Sequence, residues 1–192
     1  MLRTIHRFAL AVYGAGIILA AEASDQQISS VRPRQTISLD QPGSDRGSHP
    51  PVVSSVTLSP DGRYLVTAGD DHQVRLWSAS AEDIFVPVEQ YGNHADWVRT
   101  AAFRPDGTSL ATGGDDQRVR LWDVPEGRTP VVLPGTMEGI RALAFSADGR
   151  RLAVAGFIGI VRVYDSESGR MERELVAPGG DLRAVAFSPD GN

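Results

Sequence analysis

Two histidine–aspartate pairs are the first residues of this chain that could do acid–base chemistry: His49 with Asp71, and His94 with Asp116. The separation is the same in both. A carboxylate can accept from one imidazole nitrogen while the other nitrogen pairs with a hydroxyl. Two acidic doublets, Asp70-Asp71 and Asp115-Asp116, would suit part of a Ca²⁺ site. Such an ion takes about 6–8 oxygen ligands, however, and nothing supplies the remainder at EF-hand or nonapeptide spacing. The chain has no Cys and no Lys, all 19 basic residues being Arg, which removes thiolate nucleophiles, Cys-ligated zinc, Schiff bases and a P-loop lysine. No G-x-S-x-G frames a serine, and no Gly-rich loop leads from a strand into a helix. The expectation is therefore no catalytic residue, no metal and no cofactor. Net charge is −5, which gives no reason to expect a nucleic-acid partner.

The elements that carry these pairs explain them better than catalysis does. Residues 65–78 (LVTAGDDHQVRLWS) recur 45 residues later as 110–123 (LATGGDDQRVRLWD), and 42 residues later again, more loosely, as 152–165 (LAVAGFIGIVRVYD). Each copy follows a Pro/Ala-Asp-Gly turn, at Pro60-Asp61-Gly62, Pro105-Asp106-Gly107 and Ala147-Asp148-Gly149; a fourth such turn is Pro189-Asp190-Gly191. A fixed period of this length is the mark of repeat architecture. Within a period the apolar residues alternate over short runs bounded by turn residues, which reads as four antiparallel strands. The strands expected are 53–59, 64–68, 74–77 and 84–88; then 98–104, 109–112, 119–122 and 130–133; then 140–146, 151–155, 160–164 and 171–176. Residues 182–188 read as the first strand of a fourth period. Pro87 marks its strand as an edge, because proline cannot donate to a ladder. A four-stranded sheet of this size cannot bury both faces alone, and stacking such sheets around an axis solves that problem.

At this point the sequence resembles the WD40 repeat family, over residues 34–192. Residues 49–78 and 94–123 align without a gap, sharing His49/His94, Thr67/Thr112, Asp71/Asp116 and Trp77/Trp122 among other identities. The resemblance implies an all-β propeller of four-stranded blades: blade 1 about 50–90, blade 2 about 95–134, blade 3 about 138–177, and the start of a fourth at 182–192. The propeller is expected to be incomplete, an open arc, with residues 35–39 completing the last blade's sheet, and the chain to be the N-terminal part of a longer protein or the product of a truncated gene; the alternative is that several copies associate to finish a ring. It also implies a buried hydrogen-bond chain in each well-formed blade, formed by His49, Thr67, Asp71 and Trp77 in the first and by His94, Thr112, Asp116 and Trp122 in the second. In the third the matching residues are Thr136, Val154, Ile158 and Tyr164, so packing of Val154, Ile158, Val161 and Val163 is expected to replace that chain. The family holds proteins and peptides on one face, ringed by loop and strand-start residues. The matching residues here are Asp70, Trp97, Arg99, Asp115, Arg141, Phe157, Asp181 and Arg183, and the arginines among them favour a carboxylate-bearing ligand.

Residues 1–23 resemble a secretory signal: Arg3 and Arg7, an apolar run over residues 8–20, then Ala21-Glu22-Ala23 as a cleavage site. The alternatives are an uncleaved anchor or a wrongly assigned start of the chain. Cleavage would leave a polar linker at 24–33, an exported protein and no membrane span. The expected function is a non-catalytic scaffold for a protein or peptide partner. The alternatives are a periplasmic propeller of the TolB type, whose turns also read Ser-Pro-Asp-Gly, and a binding module joined to a catalytic or electron-transfer domain.

Overall fold

The computed structural model describes residues 8–13, 16–21, 35–38, 51–79, 85–127, 130–135 and 138–190. The chain divides into two compact units, Met1–Val53 and Ser54–Asn192.

In the first unit, β1 (Phe8–Tyr13) and β2 (Gly16–Ala21) form an antiparallel pair, with Phe8 opposite Ala21. β3 (Gln35–Ser38) adds to β2, with Gly16 opposite Ser38. This corrects one expectation. The segment at 35–39 was to complete the last blade, but β3 finds its ladder partner in β2, an apolar strand close by in the chain, and the three strands form a sheet of their own. Among the described residues there is no helix, and hence none long and apolar enough to cross a membrane.

The second unit contains three four-stranded antiparallel sheets. Blade 1 is β4 (Val53–Leu58), β5 (Tyr64–Gly69), β6 (Gln73–Ala79) and β7 (Phe85–Asn93). Blade 2 is β8 (Val98–Phe103), β9 (Ser109–Gly114), β10 (Val119–Asp123) and β11 (Val131–Val132). Blade 3 is β12 (Ile140–Phe145), β13 (Arg151–Gly156), β14 (Ile160–Asp165) and β15 (Met171–Val176). Each sheet keeps sequence order across its width, so every connection is a hairpin.

The turns use the same chemistry each time. Gly62, Gly107 and Gly149 take φ of 74°, 74° and 72°, a region that costs a residue without Cβ little. The aspartate before each accepts the backbone N–H two residues on: Arg63 to Asp61, Thr108 to Asp106 and Arg150 to Asp148, all at 3.0 Å. Pro87 lies on the edge strand β7, opposite Trp77 and beside a register shift, where the missing N–H does least harm.

Burial follows position in the sheet. In β5, β9 and β13 five of six residues are buried, because these inner strands are covered on both faces. β15 is exposed along its whole length. One core lies between blades 1 and 2, where Val66, Val74 and Leu76 meet Val98, Leu110 and Trp122. A second joins Ala111, Val119 and Leu133 to Ile140, Leu152, Val154 and Tyr164. Burying one such side chain is worth about 1.5–3 kcal/mol, so the blades are held by what lies between them as much as by their ladders.

Residues 182–188, expected as a strand, belong to no sheet. The segment begins with two backbone bonds, Asp181 N–H to Phe157 O (2.8 Å) and Leu182 N–H to Gly156 O (2.9 Å). It then lies over the outer face of blade 3, where Val185, Ala186 and Phe187 line a cavity of about 300 Å³ with Ala153, Val161, Val163 and Leu175. A ladder needs a second strand, and no described strand runs beside this one.

Candidate functional site: a buried polar chain and an arginine-studded rim

Blade 2 brings all four of its expected residues together. Trp122 Nε1 donates to Thr112 Oγ1 at 2.8 Å, and Thr112 Oγ1 lies 2.8 Å from His94 Nε2. His94 Nδ1 lies 3.0 Å from Asp116 Oδ1. The direction of these bonds assigns the tautomer. With the proton on Nδ1, indole donates to hydroxyl, hydroxyl to Nε2, and Nδ1–H to carboxylate, so every donor has an acceptor. Asp116 also accepts the Ala95 N–H at 3.1 Å, the Arg118 N–H at 3.2 Å and Arg120 Nη1 at 2.6 Å. His94 and Thr112 are buried, and the Asp116 side chain is 2% exposed.

The electrostatics suit a structural role. Burial disfavours the Asp116 anion, but the bonds from His94, Arg120 and the Ala95 amide outweigh it and hold the carboxyl well below the usual range. Burial pushes the His94 imidazole down, against the lift from Asp116, while the Arg120 charge adds to the depression; Nη1 of Arg120 is only 2.6 Å from Nδ1. A neutral imidazole sealed between a threonine and an aspartate has no open side for a substrate.

Blade 1 repeats part of this. Trp77 Nε1 donates to Thr67 Oγ1 at 3.1 Å, and Asp71 Oδ1 accepts the Gln73 N–H at 3.1 Å. Asp71 pairs with Arg75 at 2.6 Å. His49 lies outside the described residues. In blade 3, Thr136 does as well; Val154 is buried, Ile158, expected to pack, is instead exposed at the turn after β13, and the Tyr164 hydroxyl donates to the Pro134 carbonyl at 3.1 Å.

The second candidate set lies at one end of the strands. In β8 the register with β9 slips between Val98 and Thr100, and in β12 the register with β13 slips between Ile140 and Ala142. The skipped residues are Arg99 and Arg141. A bulge re-aims a side chain, and here it does so at the same repeat position twice. Glycine sits opposite each bulge because the backbones approach closely: a Cβ on Gly114 would stand 1.9 Å from Trp97 O, and one on Gly156 2.5 Å from Gly139 O.

Both arginines stack on aromatic rings, Arg99 over Trp97 at 4.3 Å and Arg141 over Phe157 at 4.1 Å. Asp115 stands between them, 2.6 Å from Arg99 Nη2 and 3.9 Å from Arg141 Nη1. Trp97 and Phe157 are each 42% exposed. Asp181, whose amide bonds Phe157 O, holds Arg183 at 2.8 Å. Seven of the eight rim residues named from the sequence thus form one contiguous line. Asp70 occupies the matching turn of blade 1. Among the described residues no group of three or more His, Cys, Asp or Glu could hold a metal.

Sequence reasoning missed Arg75 and Arg120, which close the Asp71 and Asp116 ends. The signal was available: an arginine four residues after the aspartate recurs in two periods.

Three sheets of four antiparallel strands, stacked through apolar cores and tied by an indole–hydroxyl–imidazole–carboxylate chain, define an all-β repeat protein of the propeller type. The family model described as WD domain, G-beta repeat matches residues 42–78, 85–123 and 127–165, and the chain belongs to the WD40 repeat family. A comparison with curated proteins found no match. WD40 repeats generally mediate protein–protein interaction as scaffolds, and proteins built from them are typically non-catalytic.

Proposed function

We propose that this chain is an exported, non-catalytic interaction platform that holds a protein or peptide on the rim formed by Trp97, Arg99, Asp115, Arg141 and Phe157. One observation supports the reading above the others. Bulges at the same position in two blades lift two arginines out of the ladder and set each on an exposed aromatic ring. Trp and Arg are the residue types that anchor interfaces, and an aromatic left exposed beside a guanidinium offers both apolar area and fixed donors. The basic, apolar and small-residue order of residues 1–23 supports export, with a mature chain beginning at Ser24.

The test is site-specific photocrosslinking in the cells that make the protein. Benzoylphenylalanine is placed at position 97 or 157, and, as a control, at position 106 in the turn at the other end of β8. The expected result is a discrete adduct from 97 and 157 and none from 106. Equal adducts from 106, or none from 97, sink the proposal. N-terminal sequencing of the recovered protein tests export separately.

A further inference from the structure

Three arginines stand at one repeat position: Arg99, Arg141 and Arg183. Two of them already hold a carboxylate of their own chain. Arg99 reaches Asp115 Oδ2 through Nε (2.9 Å) and Nη2 (2.6 Å). Arg183 reaches Asp181 Oδ2 through Nε (3.0 Å) and Nη2 (2.8 Å). Among the described residues no carboxylate is hydrogen-bonded to Arg141. The residue in the place of Asp115 is Phe157, and the residue in the place of Asp181 is Gly139. Asp115 Oδ1, 3.9 Å from its guanidinium, makes a long ion pair with it but lies beyond hydrogen-bond reach. Asp115 Oδ1 is itself buried without a hydrogen-bond partner.

Arg141 is nonetheless held in place. Its guanidinium lies on the Phe157 ring, and its side chain is 24% exposed. The origin of that stack is a substitution between blades. Blade 2 takes its aromatic from Trp97 and its carboxylate from the turn at Asp115. Blade 3 has Gly139 at the first position, and the Phe157 ring fills the space a side chain would need: a Cβ on Gly139 would stand 2.0 Å from Phe157 Cδ2. The arginine-on-aromatic pair is kept, and the carboxylate is given up.

We infer that Arg141 on its Phe157 platform is the seat for a side-chain carboxylate of an acidic peptide, and that Asp115 and Asp181 are internal occupants of the equivalent seats. This rests on the reading of the rim as an interaction face and names the partner's chemistry. A pre-oriented guanidinium with free donors favours a planar carboxylate. A phosphoryl group offers similar oxygens, but both internal occupants are carboxylates, and the test separates the two.

Fluorescence anisotropy on the full chain reads binding of a labelled nonapeptide with glutamate at alternate positions, beside the same peptide with glutamine and one with a single phosphoserine among glutamines. The glutamate peptide is expected to bind at least about tenfold tighter than either. Arg141→Gln should weaken it at least about tenfold, whereas Arg183→Gln, the same charge change, should stay within about twofold. Phe157→Asp gives blade 3 the internal carboxylate of blade 2 and should also close the seat. Asp115→Asn frees Arg99 and should tighten binding. Thermal melts of the variants confirm that the fold is intact. The inference is overturned by equal losses for Arg141→Gln and Arg183→Gln, by a phosphoserine peptide that outbinds the glutamate one, or by no binding of the glutamate peptide. In the last case the interaction face still stands or falls on the crosslinks from position 97.

Discussion

Blades 2 and 3 share strand order, turn chemistry and a pair of matching bulges, yet they are held together by different means. Blade 2 runs a polar chain through its middle from Trp122 to Asp116, closed by Arg120. Blade 3 has Val154 where Thr112 stands and Ile158 where Asp116 stands, and Val154 joins the apolar core with Leu152 and Ile140. The two residues that outlast this change find new partners. Tyr164, in the place of Trp122, reaches past the missing hydroxyl to the Pro134 carbonyl. Arg162, in the place of Arg120, turns to Glu174 on β15 at 2.9 Å. The backbone pattern is therefore sufficient for a blade. The polar chain is an addition that stabilises only when complete, since in a low-dielectric interior each unpaired member costs more than the pair returns.

The largest effect should come from removing the hub of that chain. Asp116→Ala strips a partner from His94, Arg120 and two backbone amides, and should cost about 3 kcal/mol. Ile158→Ala, at the same place in blade 3, should cost less than about 1 kcal/mol, because the residue is exposed. Urea unfolding midpoints measure both. Equal costs would erase the distinction between the blades.

Exchanging the two central residues comes next. Thr112→Val takes the central hydroxyl from both the Trp122 indole and His94 Nε2 and should destabilise by about 2 kcal/mol. Val154→Thr buries a hydroxyl among apolar neighbours and should destabilise by a similar amount, about 1–2 kcal/mol, for the opposite reason. A neutral result in either direction would show that the position tolerates both chemistries.

A smaller effect distinguishes the blades by pH. Burial holds the folded His94 pKa below its ordinary 6.5, so the native imidazole stays neutral where the unfolded one takes a proton. Stability is then full above that value and declines as pH falls below it, until the folded pKa is reached. The depressed Asp116 acts in the same direction further down, its contribution being present above 3.8 and lost below. Unfolding free energies at about pH 7.5 and about pH 5.5 should differ for the parent and differ less for His94→Gln. Identical slopes would remove His94 from the account.

The strands and turns were legible because their causes are local: period-two alternation and an Asp-Gly turn need only neighbours in sequence. The blade 2 chain could be read because its four residues recur in blade 1 at the same spacing. The bulges at Arg99 and Arg141 could not, since a one-residue slip depends on how the facing strand is built, and only the glycines opposite hint at it. The partner of β3 and the course of residues 182–188 were also hidden. Which strand covers an edge is decided by tertiary competition, not by the strand's own pattern.

The smallest effect tests whether blade 3 has recovered anything for the chain it lacks. Tyr164 is 3% exposed, and its hydroxyl both donates to Pro134 O and faces the Arg162 guanidinium. If that contact is the blade's substitute for the Trp122–Thr112 bond, Tyr164→Phe should cost about 1 kcal/mol, the net worth of one partly buried hydrogen bond. The ring stays, so packing against Leu133 and Leu152 is unchanged and the loss belongs to the hydroxyl alone. A cost near zero would mean that the carbonyl of Pro134 is served equally well by water, and that blade 3 stands on apolar contact without any polar tie.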